Sequence, residues 1–348
     1  MNSDMFKNIK YSKIRNLYNA MWEGNPIINS NPIVKSNASK EKQSENSFSF
    51  EGEDKVAVLI DIFNIPEENR DIFRTKFKMA CEGSGQEYRR ITTIHSSSLC
   101  AILFFYNVTE KNLLKIDGIG VFTKSVFEFK SPVIDENHNS CMDVVLIGKN
   151  DNGEDVVLFL ESKFSEYYTS VSKKLNNLSE RYLSKSENEY GVDLYSDAFL
   201  GSLKLNKSKV EDGSFDLCTD DEFYIGGIKQ MISHYIGIRN NLNCNFAKQE
   251  EKDQEEVIDL IRTGAKVYLA EIIFDAVIGE FKLANGKAYK EAYSEKYEVL
   301  ATKLNADIQK SDAKNRFMVM PHEFGYTMFL DENQKYKLDE NVRLFYFG

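Results

Sequence analysis

Two runs of the chain, Val144–Ile147 and Val156–Leu160, are apolar without interruption. Runs with no polar alternation predict strands buried on both faces. Between them lies Lys149–Glu154, KNDNGE, whose Asn, Asp and Gly accept tight-turn backbone angles, so the pair predicts a β-hairpin. Folded about Asn152, the hairpin sets Asp143 opposite Glu161, and the two-residue period of a strand puts Glu161 and Lys163 on one face. Two carboxylates and an ammonium then gather at one end of a buried sheet.

Helical and strand periods place the elements around this hairpin. Residues 5–23 carry a weak amphipathic helix, and the Asn-, Ser-, Lys- and Glu-rich stretch 25–54 reads as a linker or mobile loop. Helices are expected over Glu53–Ile65 and, opened by Pro66, on to Cys81. After a polar segment, 82–90, the run His95–Ser98 supplies N-caps for an apolar helix over Leu99–Tyr106. Residues 118–130 predict a strand or bent strand pair, halted by Pro132. Downstream, helices are expected over Thr169–Lys185, Phe223–Leu242, Glu255–Arg262 and Ala288–Ile308, and strands over Lys266–Asp275 and Arg316–Met320, with 186–221 irregular. That order predicts one α/β domain over 55–348, its core at about 80–275 and a C-terminal extension over 276–348, preceded by the helix and polar linker of 1–54.

With 348 residues, 42% of them hydrophobic, the chain is large enough for such a core. No apolar run approaches the roughly 20 residues of a membrane span, so no membrane partner is expected. The start, MNSDMFKNIKYSK, has no apolar stretch of the secretory kind. Five cysteines without CxxC spacing and four scattered histidines argue against a disulfide framework or a zinc site, and for a reducing cytoplasm. A net charge of −10 excludes a non-specific nucleic-acid coat protein. Any phosphate binding then has to come from a local basic patch or a bound metal.

Charged groups in a dry strand cost several kcal/mol unless paired, neutralised or metal-bound, and two adjacent carboxylates repel. A divalent ion between Asp143 and Glu161 relieves both problems, and magnesium takes carboxylate oxygens while leaving positions for phosphate. Lys163 on the same face could orient a water or offset charge on phosphate. A buried salt bridge of Lys163 with Glu161 or Asp143 is the structural alternative.

Asp143, a hairpin, then Glu161-Ser162-Lys163 resembles the catalytic motif of the PD-(D/E)XK nuclease superfamily. The flanking text, Arg90–Cys100 (RITTIHSSSLC) before an apolar helix and Glu161–Glu166 (ESKFSE) after it, resembles a bacterial branch of restriction-type endonucleases. The proline expected before the first acid is absent; Cys141-Met142 stand there. The resemblance covers roughly residues 80–275. It implies a restriction-endonuclease-like core, a central mixed sheet flanked by helices, with extra helices at both ends. It implies magnesium, with manganese as a substitute, held by Asp143, Glu161 and a further acid. Glu87 is the preferred match for that acid, with Glu82 and Glu128 as rivals. A Gln or Lys on the helix after the motif strand is also implied, which matches Gln230, with His234 and Tyr235 a turn on; Glu166 is a further group near the motif.

The expected activity is metal-dependent hydrolysis of DNA phosphodiesters, in restriction or another defence role. The catalytic set is Asp143, Glu161, Lys163, Glu87 and Gln230. Basic residues that could meet phosphates are Arg89, Arg90, Lys173, Lys174, Arg181, Lys185, Lys204, Lys207 and Lys209. The rival readings are a non-catalytic scaffold that keeps the nuclease fold, and a nuclease acting on RNA or branched DNA. The sequence leaves the oligomeric state open, a dimer included.

Overall fold

The computed structural model describes residues 22–31, 33–36, 45–50, 54–81, 88, 91–135, 137–164, 178–179, 190, 206–209, 214–216, 228–276 and 288–348. Along the chain run α1 (Pro26–Ser30), β1 (Ile33–Ser36), β2 (Glu45–Phe48), α2 (Lys55–Ile62), α3 (Arg70–Cys81), α4 (Ser97–Phe105), β3 (Leu114–Ile116), β4 (Gly120–Pro132), β5 (Asn139–Lys149) and β6 (Asp155–Lys163). Three short strands follow, β7 (Leu178–Ser179), β8 (Asn206–Lys209) and β9 (Ser214–Asp216). Then come α5 (Ile228–Leu242), α6 (Lys252–Thr263), β10 (Lys266–Ile273), α7 (Tyr289–Ile308), β11 (Phe317–Val319), β12 (Phe324–Gly325) and α8 (Glu340–Phe347).

The fold is α/β: a curled mixed sheet with helices against it. Strand order is β11-β10-β6-β5-β4-β3, with β12 also paired to β10. The hairpin β5–β6 is antiparallel in the predicted register, from Lys149↔Asp155 to Val144↔Leu160. β10 runs parallel to β6 and pairs Glu271 with Glu161 and Ile273 with Lys163. A parallel neighbour requires a crossover, and α5 and α6 lie on it. α5 and α7 cover the sheet face that carries Glu161 and Glu271, since Gln230, His234, Tyr293 and Tyr297 reach those carboxylates or their backbone. α3 and α4 lie on the other face, where Met79 receives the Phe127 N–H and Ser162 donates to the Ser97 carbonyl.

Segments expected from apolar periodicity form elements of the expected type where the structure describes them, while the helix expected over residues 5–23 lies outside the described residues up to residue 21. The cap residue of α4 is Ser96, whose Oγ accepts the Leu99 N–H at 3.1 Å, and α6 opens with a capping box between Glu251 and Gln254. Four stretches differ, the first being 186–221, read as irregular, where the described residues hold the paired strands β8 and β9. Within 25–54, read as a linker, the described residues hold a short helix and the β1–β2 ladder, with Phe48 fully buried. Asn25 ties this segment to α8 by donating to the Leu344 and Phe345 carbonyls, and Trp22 donates to Phe345 as well. Polar composition concealed these few apolar anchors. The helix expected over Glu53–Ile65 stops at Ile62, because Asn64 takes a positive φ of 47° and turns the chain. The helix expected over Thr169–Lys185 lies outside the described residues except at Leu178–Ser179, which form a strand paired with β9.

Residues 118–130 form one long strand whose pleat slips at a single step. Val126 pairs with Val145, and Val145 with Phe159, on the face of Glu161. Beyond Glu128 the parity changes: Phe129 meets Phe159 edge to face at 5.6 Å, and Ser131 faces α5. On β5 the same change brings Ser140 under α5. Glu128 stands at the step with φ 49°, a left-handed backbone that costs a non-glycine residue about 1–3 kcal/mol. Gln254 steadies it by donating to the Phe127 and Glu128 carbonyls at 2.9 and 3.2 Å.

The height of α5 above the sheet is set at Gly237, where an added Cβ would stand 2.6 Å from Ser131 Cβ. Asn240 donates to the Pro132 carbonyl and Asn241 to Ser131 Oγ, each at 2.8 Å. Gly237→Ala gains about 1 kcal/mol of helix propensity but overpacks a contact, at about 1–3 kcal/mol. Net destabilisation by up to about 2 kcal/mol in urea unfolding is the expected result; a gain in stability would show that α5 is not held at this height.

Candidate active site

The ends of β5, β6 and β10 meet at Glu161. This carboxylate is 3% exposed. Lys163 Nζ donates to its Oε1 at 2.6 Å, and Gln230 Nε2 donates to the same oxygen at 2.8 Å. Lys163 also donates to Gln230 Oε1 at 2.6 Å, which closes a three-membered ring of hydrogen bonds. On the other oxygen, Oε2, Glu161 accepts from His234 Nε2 at 2.8 Å. His234 Nδ1 in turn lies in short contact with Ser140 Oγ.

Asp143 joins this centre from the hairpin's other strand. The ladder stops at Val144↔Leu160, one residue before the 143/161 pair. From there the Asp143 side chain takes over, its Oδ2 accepting the Ser162 N–H at 2.8 Å. The pleat step at Glu128, which stands across from Asp143 between two paired rungs, accompanies this departure from regular pairing. Ser162 itself points to the opposite face, donating to the Ser97 carbonyl at 3.1 Å and receiving Tyr326 at 2.8 Å. Phe164, next in the chain, stacks on Phe274 at 4.4 Å and on Trp22 at 6.1 Å, so the strand ends rest on an aromatic layer.

Burial pushes the Glu161 carboxyl up, but the charges and hydrogen bonds of Lys163 and His234 outweigh it and hold it down at about 2. Its sheet neighbour behaves in the opposite way. Glu271 is fully buried; Tyr293 donates to its Oε2, and its backbone N–H donates to the Tyr297 hydroxyl at 3.3 Å. Oε1 of Glu271 has no hydrogen-bond partner among the described residues. Burial raises this carboxyl to about 7; Lys163 and Tyr293 offset part of the effect, while Glu161 and Glu323 add repulsion. Two carboxyls side by side in the sheet thus differ in charge near neutrality.

Of the residues expected from sequence, Asp143, Glu161, Lys163 and Gln230 are brought to one place. Glu128 is buried on β4 opposite Asp143. Glu87, Glu82, Glu166, Arg89, Arg90, Lys173, Lys174, Arg181, Lys185 and Lys204 lie outside the described residues, as do the side chains of Lys207 and Lys209. Ser140, Glu271 and Tyr293 were not anticipated. Glu271 carried a legible signal, a carboxylate within the apolar strand VYLAEIIF, the same signal that singled out Glu161.

The donor set suits a hard divalent ion. Among the described residues no group of three or more His, Cys, Asp or Glu forms a metal cage. Magnesium needs fewer: it binds through one or two carboxylates and fills its remaining positions with water and phosphate oxygens. A carboxylate offers about four lone-pair sites. Lys163, Gln230 and His234 occupy three on Glu161, which leaves one on Oε2. No described helix is long and apolar enough to cross a membrane, and no disulfide joins the four described cysteines. No family model, no curated protein and no solved structure matches this chain.

The two buried carboxyls predict opposite contributions to stability. Glu161, depressed from 4.5 to about 2, stabilises the fold above pH 4.5 and loses that contribution as the pH falls toward 2. Glu271, raised from 4.5 to about 7, contributes fully below pH 4.5 and loses that contribution as the pH rises through 7. Thermal unfolding of Glu271→Gln between pH 4.5 and 7.5 should therefore decline less with pH than that of the wild type. Identical slopes would show that Glu271 is ionised throughout.

Proposed function

We propose that this chain is a magnesium-dependent nuclease of the PD-(D/E)XK kind, hydrolysing DNA phosphodiesters. The observation that carries the reading is the meeting of Asp143, Glu161, Lys163 and Gln230 at the end of one buried hairpin. An ionised carboxylate, an ammonium and an amide are linked there within 2.8 Å, with a second carboxylate fastened to the same strand. A mixed sheet flanked by helices supports the restriction-endonuclease-like core that this motif implies, with β10 parallel to the motif strand.

Asp143 and Glu161 would hold the ion, which when bound supplies Lewis-acid polarisation of phosphate and an acidified water. The chain's own groups do the rest. Lys163 brings a positive charge to the face where a phosphate would sit, offsetting negative charge that builds during hydrolysis. Gln230 holds Lys163 and Glu161 in fixed relation through its two amide atoms. Because Glu161 stays ionised down to about pH 2, its ligand capacity does not vary across neutral pH. With a net charge of −10, phosphate affinity has to be local to this site and to nearby lysines and arginines.

A scaffold that keeps this fold without catalysis is the second reading. It is favoured by the three internal hydrogen bonds that Glu161 already accepts. One assay separates the two. Plasmid DNA incubated with magnesium or manganese should be cleaved, and Asp143→Asn or Lys163→Ala should lower the rate by about 10²–10³-fold with circular dichroism unchanged. Folded variants with full activity would remove the assignment. Structured RNA and branched DNA, run in parallel, identify the substrate.

A further inference from the structure

Behind Glu161, on the side away from Lys163, lies a second line of polar groups that the proposed chemistry does not use. His234 is 3% exposed and Ser140 7%. His234 Nε2 lies 2.8 Å from Glu161 Oε2, a carboxylate oxygen that accepts, so the ring nitrogen donates there. His234 Nδ1 then faces Ser140 Oγ, whose hydroxyl can donate to it or accept from it. Each polar atom of the imidazole is thereby satisfied, and its ring orientation is fixed from both ends.

Both supports of this line are rigid. Ser140 sits on β5 just before the pleat step that brings it under α5. His234 sits on α5, three residues before Gly237, and the close approach at Gly237 with the anchors from Asn240 and Asn241 sets how far its ring reaches. The ring of hydrogen bonds with Lys163 and Gln230 acts on Oε1, whereas His234 acts on Oε2. Carboxylate rotation about its last torsion is soft, so a donor on each oxygen is what holds the plane of the group. Lys163 and Gln230 alone, both on Oε1, would leave that plane free to turn.

We infer that Ser140 and His234 form a positioning relay that fixes the plane of the Glu161 carboxylate, and with it the direction in which its remaining Oε2 lone pair faces a divalent cation. The inference rests on the nuclease reading above. His234 acts through Glu161 and is a positioning residue, with Ser140 as its anchor. Groups that orient a metal ligand typically change metal affinity by about 10–100-fold when removed.

Calorimetric titration of magnesium chloride into the full chain tests this, with circular dichroism as the fold check. His234→Ala should weaken magnesium binding by about 10–100-fold. His234→Gln should recover most of it, because its amide N–H can still donate to Oε2. Ser140→Ala, which removes one hydroxyl that touches no ligand, should weaken binding in the same direction by a smaller factor. Should His234→Ala fail to fold, the Ser140→Ala titration decides alone. Wild-type affinity in folded His234→Ala or in Ser140→Ala overturns the relay while leaving the nuclease reading intact. A wild-type chain that neither binds magnesium nor cleaves DNA overturns that reading, and the relay with it.

Discussion

An ionised carboxylate at the end of a strand buried on both faces has to find its compensation within a few ångströms, and the architecture around Glu161 follows from that requirement. Desolvation of such a group is worth several kcal/mol, more than any single surface ion pair returns. The chain meets the demand with three donors from two elements, Lys163 on the same strand and Gln230 and His234 on α5. α5 therefore has to lie close to the sheet, which is why a glycine stands at 237 and why Asn240 and Asn241 bind strand backbone and Ser131. Replacing one donor leaves a buried charge short of partners, and such losses are large even where the intact network adds little net stability.

The sheet contributes a less obvious device. A regular pleat would keep Phe129, Ser131 and Ser140 on the face away from α5. The step at Glu128 reverses the alternation on both β4 and β5, and at that step Asp143 leaves the ladder to bond the Ser162 N–H through its side chain. Bulges and pleat irregularities re-aim side chains next to sites of chemistry, and a non-glycine residue at positive φ is held there only by surrounding contacts. Here those contacts are the carbonyl bonds from Gln254. The apparent defect and the meeting of Asp143 with the motif strand are one feature.

Much of this was legible in the sequence because burial leaves a strong trace. Unalternating apolar runs marked β5 and β6, the KNDNGE turn set their register, and that register placed Asp143 against the strand of Glu161 and Lys163. The amphipathic helix after the motif carried Gln230 to the same centre. Features that depend on tertiary fit left no local trace. The pleat step arises at a residue, Glu128, whose type does not announce a left-handed backbone. Ser140 is ordinary until α5 lands on it. The N-terminal segment looked like a linker because Trp22, Asn25 and Phe48 are few among polar neighbours, although their partners on α8 and elsewhere bury them. Glu271 is the instructive miss, since a carboxylate inside an apolar strand is the same signature that identified Glu161. Its environment nevertheless drives its proton affinity the other way.

The account stands on Glu161 and Asp143 jointly facing a divalent ion. Anomalous diffraction from a crystal equilibrated with manganese tests that directly. One peak is predicted at the end of β5 and β6, about 2.1 Å from a carboxylate oxygen of each residue, with His234 still donating to Glu161. A peak elsewhere, or none while Glu161 keeps its three internal donors, would contradict it and leave the cluster as a structural ion network.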